Sequence, residues 1–273
     1  MEQAYPFADI DLARRLERTE GHGNVEFIEA RQKAFPGHGA TWIEVAGTRA
    51  MFDGVGSPLS QTFGLGVFEP ITAAQMTEIE EFFHSRGAEV LHEVSPHADA
   101  SAFELIRERE YQAVEFSNVL YRPIDPDLRL NAERNRAIKV RLVEKNEVDL
   151  WAATASQGWS EFTEVADFMR ELNQVFAHSK TLMFLAELGG KAIATGAMVI
   201  SGDVALLAGA STVPSARRHG AQNALLENRL RYAAARGCTV AMMVTLPGSG
   251  SQRNSERHGF RIAYTRTKWR GNI

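Results

Sequence analysis

Hydrophobic positions along this chain fall into two rhythms that take turns. In the second half, "AIKVRLVE" from Ala137 alternates with a period of two, the mark of a strand with one buried face. "NEVDLWAATASQGW" from Asn146 instead spaces its apolar residues three and four apart, which predicts a helix. "TLMFLAEL" and "KAIATGAMVI" read as strands separated by Gly189 and Gly190. A glycine pair between two apolar runs predicts a tight hairpin, because both central positions can take positive φ. The strand "DVALLAGAST" comes next, then a helix from about Gln222 to Arg236, the strand "CTVAMMVT", a short helix through "SQRNSERH" and a terminal strand "RIAYTRTKW". On the long helix Ala224, Leu225, Leu226, Leu230, Tyr232, Ala233 and Ala234 form an apolar stripe opposite Glu227, Asn228 and Arg231, as expected of a helix lying on a sheet, and Gly237 ends it.

The first half repeats this order. "WIEVAGTRAMF" from Trp42 echoes "LAELGGKAIAT" from Leu185, matching Glu44 with Glu187 and Gly47 with Gly190. Pro70 then matches Pro214, Gly87 matches Gly237 and Tyr111 matches Phe260, while Met76, Ile79, Phe82 and Phe83 supply the stripe of the corresponding helix. Between proline and glycine the second copy is six residues longer, and the surplus falls where "ARRHGA" stands. The segment "YRPIDPDLRLNAERNR", with two prolines and mostly polar residues after them, reads as a linker. The expected architecture is α/β with mixed sheets in two tandem domains, residues 1–122 and 137–273, joined by a linker over 123–136.

Composition narrows the function classes. The 273 residues are 44% hydrophobic, enough for a well-buried core, and the formal net charge of -4 argues against a general nucleic-acid binder, which needs a basic excess to release phosphate counterions. No run reaches transmembrane length, and the N-terminal stretch lacks the apolar core of a signal peptide, so a cytoplasmic protein without membrane partners is expected. The single cysteine, Cys238, has no partner for an internal disulfide and is expected to be a buried structural thiol. His178, His219 and His258 show no metal-ligand spacing, and no metal is expected.

One stretch asks for an explanation of its own. Arg217, Arg218 and His219 stand immediately before Gly220 and the long helix, where cations oppose the helix macrodipole. An anionic ligand resolves the conflict. Free amides at a helix N-terminus can hold a phosphate or pyrophosphate, and two guanidinium groups add charge-assisted hydrogen bonds. The same two cations also suit a solvated basic turn. The ordered set decides between the readings: apolar strand, basic glycine-containing loop, amphipathic helix, second strand, short helix, then "GF" at Gly259 and Phe260.

On that ordered set the second half resembles the GNAT family of acetyl-CoA-dependent N-acyltransferases, over roughly Ala137 to Trp269, and a degenerate copy spans about Leu12 to Arg122. The family loop, Q/R-x-x-G-x-G/A, is met at Arg217 and Gly220 and departed from at Gln222, where a small residue is usual. The resemblance implies that Ser211, Thr212 and Val213 present main-chain groups to the pantetheine arm of acetyl-CoA. It implies further that Arg217, Arg218, His219, Gly220, Ala221 and Gln222 grip the pyrophosphate. Ser251 and Asn254 lie in a segment that departs from the family pattern, and they suit cofactor contacts or a flexible Gly-Ser connection equally well.

The implied chemistry is direct attack of a neutral primary amine on the thioester, with no covalent enzyme intermediate and no part for Cys238. The tyrosine that often protonates the departing thiolate in the family falls at Ser255 here, and Glu187 is the candidate base, although its repeat counterpart Glu44 suits a structural carboxylate equally well. Glu161, Glu164 and Asp167 fall in the region that shapes acceptor choice, or form the wet face of a helix. The expected partners are a small-molecule or protein amine and no nucleic acid, with the chain a monomer or homodimer. The competing reading is a non-catalytic acyl-CoA sensor or interaction module of the same fold, suggested by Gln222, Ser255 and the degenerate first half. A tandem transferase using aminoacyl-tRNA is a third reading, and the net negative charge counts against it.

Overall fold

Both glycine-bearing hairpins form as the sequence predicts, and each belongs to the same sheet. The computed structural model describes residues 4–124, 135–161, 175–176 and 178–271. Its first half runs α1 (Ile10–Ala34), β1 (Thr41–Val45), β2 (Thr48–Phe52), β3 (Gln61–Phe63), α2 (Ala73–His84), β4 (Leu91–Val94), α3 (Ala100–Glu108) and β5 (Gln112–Pro123). The second runs β6 (Ile138–Leu142), α4 (Val148–Gly158), β7 (Leu182–Leu188), β8 (Lys191–Ser201), β9 (Val204–Thr212), α5 (Ala221–Ala235), β10 (Val240–Thr245), α6 (Gly250–Arg257) and β11 (Arg261–Arg270). Most of the expected linker lies outside the described residues. Gly189 and Gly190 turn the β7–β8 hairpin at φ 59° and 77°, and Ala46 and Gly47 turn its counterpart β1–β2 at 49° and 72°. From β1 and β7 onward the halves share one element order, so the chain is a tandem α+β protein with a mixed sheet.

The halves interlock through their last strands. Among the described residues the sheet has the order β1-β2-β3-β4-β11-β5-β10-β9-β8-β7-β6. Strand β5 leaves the first half to pair with β10, from Val240↔Pro123 to Thr245↔Asn118, while β11 leaves the second half to pair with β4. The two exchanged strands run antiparallel to each other down the middle of the sheet.

Helix α1 binds the halves a second time, and sequence periodicity did not reveal it. Gly21 and Gly23 lie inside it, and glycine weakens a helix interior by roughly 1 kcal/mol each relative to alanine. Tertiary contact prevails: Leu12, Ala13 and Leu16 pack on Val119, Leu206 and Met242 of the inner strands, while Val25 and Ile28 pack with Met51 and Phe63 of the first half. The glycines allow the close approach, since a Cβ on Gly21 would lie 3.3 Å from Arg49 and one on Gly23 would lie 3.4 Å from Val199. Asp9 caps the helix by accepting from the amides of Asp11 and Leu12.

In the second half α5 covers one face of the sheet, burying the expected stripe at Ala224, Leu225, Leu226, Leu230 and Ala233. Helix α4 covers the other face through Trp151, Ala152 and Ala155. Cys238 is buried among the α5 contacts and its thiol is pushed up by that burial, in keeping with a structural residue.

Candidate active site

The parallel neighbours β9 and β10 stay together for only three residue pairs, Val240↔Val204, Ala241↔Ala205 and Met242↔Leu206, and then part. Ligands of open α/β sheets bind beyond the carboxyl ends of such strands. A cavity of about 650 Å³ opens there, walled by the end of β9 (Ala210, Ser211, Thr212), the loop and first turn of α5 (Ala216 to Arg218 and Gly220 to Asn223), the start of α6 and the end of α4.

Local sequence leaves the start of α5 ready for an anion. Gly220, at φ 88°, is its N-cap and supplies no side chain, so the first amides are not capped from within. Arg218 stands at φ 66°, a conformation costly for a residue with a Cβ. The His219 ring nitrogen Nδ1 lies 2.9 Å from the carbonyl of Arg217, and Asn135 Nδ2 donates to the carbonyl of His219 at 3.0 Å, so the strained turn is braced from the segment before β6.

The two arginines differ in their surroundings. Arg217 reaches over the cavity to the α4 side, bonding Glu161 at 2.7 Å and the carbonyl of Gly158 at 3.3 Å. Arg218 lines the cavity and has no ion pair among the described residues. Gln222, the departure from the family loop, turns its amide back to the strand, donating to the carbonyl of Ser211 and to Thr212 Oγ1, both at 2.8 Å.

Of the residues expected to hold a cofactor, Ser211, Thr212, Arg217, Arg218, Gly220, Ala221, Gln222, Ser251 and Asn254 meet at this cavity. Val213 does not line it. Its amide donates to the carbonyl of Ile193 and its side chain packs against the α5 core. His219 is exposed and acts on the loop itself.

The two expected catalytic side chains lie elsewhere. Glu187 sits near the outer edge of the sheet, where Arg141 bonds it at 2.8 Å while also forking onto Glu147. Glu44 is held by Arg49 of β2 at 3.2 Å, whereas the partner of Glu187 comes from β6, so both repeat-matched glutamates serve cross-strand ion pairs. Ser255 is buried at 2% exposure, and its hydroxyl lies 2.6 Å from Met243 Sδ and 2.7 Å from the carbonyl of Ser251. It points into the helix–strand contact instead of the cavity. Glu161 is at the cavity mouth, and Glu164 and Asp167 lie outside the described residues.

Gly158 and Trp159 were not legible as site residues. They line the cavity because the end of α4 presses on β9, so closely that a Cβ on Gly158 would lie 2.6 Å from Ser211 Cβ and 3.1 Å from the amide of Thr212. The only local signal was a glycine next to a tryptophan at a helix end.

The same place in the first half is filled. Thr72 and Gln75 close a capping box on α2, the amide of Ile71 donates to Ser101 Oγ at 3.0 Å, and the amide of Asp99 donates to the carbonyl of Gly66 at 2.7 Å. Helix α3 therefore abuts the loop before α2 directly, and the amides that face a cavity in the second half are spent on protein atoms here.

This arrangement has known relatives. Residues 125–250 match the family model described as acetyltransferase (GNAT) domain. The chain is similar in fold to a GCN5-related N-acetyltransferase from Kribbella flavida, with 18% identity over 95% of each chain and a TM-score of 0.68. It is similar also to a tandem GNAT protein from the clavulanic acid biosynthesis pathway (12% identity, 82% of this chain and 78% of that one, TM-score 0.57) and to a GCN5-related N-acetyltransferase from Sphaerobacter thermophilus (17%, 77% and 71%, 0.54). No curated protein matches by sequence.

Fold and site together define a tandem GNAT-fold protein. The part of the chain that matches the GNAT acetyltransferase domain model, residues 125–250, falls in its second half. No described helix is long and apolar enough to cross a membrane.

Proposed function

We propose that the second half transfers an acetyl group from acetyl-CoA to a primary amine by direct attack. The observation that carries this reading is the side-chain-free N-terminus of α5, flanked by Arg217 and Arg218, at the gap where β9 and β10 separate. An uncapped helix start with adjacent guanidinium groups fits a pyrophosphate, and the free strand end beyond Leu206 fits an extended pantetheine arm. The first half, with its counterpart filled, gives one donor site per chain.

The described cavity lining includes hydroxyls, amides and guanidinium groups but no carboxylate, imidazole or phenol. In this reading the amine is delivered neutral, its proton passing to water before attack. The nitrogen adds to the thioester carbonyl, collapse of the tetrahedral adduct breaks the C–S bond with its electron pair leaving on sulfur, and the proton lost from nitrogen neutralises the thiolate. Main-chain amides at the end of β9 are the available donors to the developing oxyanion.

The test is a titration with coenzyme A followed by thiol release in a panel of primary amines across pH. Binding of one equivalent, and a kcat/KM that rises about tenfold per pH unit below the amine pKa of ~10.4, are expected. A chain that fails to bind coenzyme A ends the reading. Binding without turnover favours the alternative, a non-catalytic acyl-CoA sensor, for which the bare cavity lining and the Gln222 contact to Ser211 also speak.

A further inference from the structure

Arg229 carries no signal in the sequence pattern, yet it is the most unusual charge in the second half. It lies on α5 at 2% exposure, against the sheet instead of solvent. Among the described residues no carboxylate pairs with it. Its Nη1 donates to two main-chain carbonyls, Ala197 at 3.0 Å and Ala208 at 3.1 Å, and its Nε reaches the carbonyl of Leu225 in its own helix at 3.4 Å. Burial lowers its pKa to about 10, so it remains charged at neutral pH.

Those two carbonyls mark a defect in the sheet. The β8–β9 register passes from Ala197↔Ala208 to Thr195↔Ser211, so Gly209 and Ala210 of β9 stand opposite Gly196 of β8. Gly209 takes φ 58° at this bulge. On the α5 face the absence of a side chain on Gly196 makes room for the guanidinium, since a Cβ there would lie 3.0 Å from its central carbon. On the α4 face the Trp151 indole N–H donates to the carbonyls of Phe184 at 3.2 Å and Gly196 at 3.4 Å. The bulge is clamped on both sides, by donors from α5 to the carbonyls of Ala197 and Ala208 and from α4 to those of Phe184 and Gly196.

Immediately past the bulge, Ala210, Ser211 and Thr212 form the cavity wall. Moving the bulge by one residue would turn each of these to the opposite face, because side chains alternate along a strand. We propose that Arg229 is a positioning residue that fixes the β9 bulge and thereby aims the main-chain groups of Ala210 to Thr212 at the thioester end of the donor. This rests on the acyltransferase reading above. Coenzyme A without an acyl group is held mainly at the α5 loop, so Arg229 governs turnover and acyl recognition more than overall donor affinity.

The experiment compares wild type with Arg229→Met, Arg229→Lys and Gly196→Ala, the last displacing the guanidinium without deleting it. Coenzyme A affinity, kcat with acetyl-CoA, and amide hydrogen exchange over residues 209–212 are measured on each. The expected result is a kcat reduced about tenfold to a hundredfold in Arg229→Met and Gly196→Ala, with the coenzyme A dissociation constant within about threefold of wild type. Partial rescue in Arg229→Lys and faster exchange confined to 209–212 accompany it. Unchanged kcat and unchanged exchange in a folded Arg229→Met overturn the proposal. So does a kcat loss that merely matches the loss of folded protein while Gly196→Ala behaves as wild type. If wild type binds no coenzyme A, the functional reading falls, and the exchange rates alone decide whether Arg229 holds the bulge.

Discussion

Arg217 and Glu161 form a 2.7 Å ion pair that spans the mouth of the candidate donor site. Both side chains are about half exposed, at 42% and 56%, so the pair is worth under about 1 kcal/mol and yields readily to a stronger anion. A pyrophosphate is such an anion. Arg217→Ala should weaken coenzyme A binding by about 1 to 3 kcal/mol, the range for a lost charge-assisted contact. Glu161→Gln removes the competitor and should leave affinity equal or slightly higher. Calorimetric titration of both variants checks the assignment, and a weaker Glu161→Gln complex would contradict it.

Gln222 stands where the family loop has a small residue, and it ties α5 to the end of β9. Gln222→Ala deletes two hydrogen bonds and should lower stability by about 1 to 2 kcal/mol. It also frees the Ser211 carbonyl for the donor. Coenzyme A affinity should therefore hold or improve as the melting temperature falls, an opposite movement that a purely damaging substitution does not produce.

Gly158 is packed against the wall that β9 gives the cavity. Gly158→Ala drives a methyl into Ser211 and the Thr212 amide, and overpacking of this kind costs about 1 to 3 kcal/mol. The strand end must shift or α4 must withdraw. Donor binding should fall with stability, in contrast to Gln222→Ala, and parallel melting and titration curves measure the difference.

Glu17 carries a pH dependence of definite sign. It is a buried residue of α1, accepts from Tyr264 at 2.8 Å and faces Arg266, Glu20 and Glu93. Burial is the largest influence and raises its pKa from the ordinary 4.5 to about 7, with Arg266 opposing the rise. The folded state thus holds this proton more tightly than the unfolded state does. Its contribution is fully present below about pH 4.5 and is lost as pH rises through about 7. Relative to Glu17→Gln, wild type should lose about 2 kcal/mol between about pH 5 and about pH 8. Urea unfolding of both proteins at the two pH values makes the comparison, and parallel curves would refute it.

Much of the second half was readable residue by residue. The hairpin glycines, the α5 stripe and the strand–loop–helix order state local preferences that every neighbouring fold would respect, so Gly189, Leu225 and Gly220 lie where periodicity and turn chemistry put them. The loop between Arg217 and Gln222 was likewise visible, because its charges conflict with a bare helix start. Glu187 and Ser255 were placed by counting along a motif, and counting carries no information about direction. Their side chains are committed to Arg141 and to Met243.

By itself the sequence determined the repeated order of strands and helices and which half has a helix start with a glycine cap and two flanking arginines, since both depend on local spacing and the presence of a few glycines and cations. Only the tertiary structure decided that β5 and β11 change places, that α1 forms despite two glycines, and that Arg229 lies buried at a bulge. Those outcomes depend on contacts between residues far apart in the chain, where packing energy outweighs the local preferences that a sequence pattern displays.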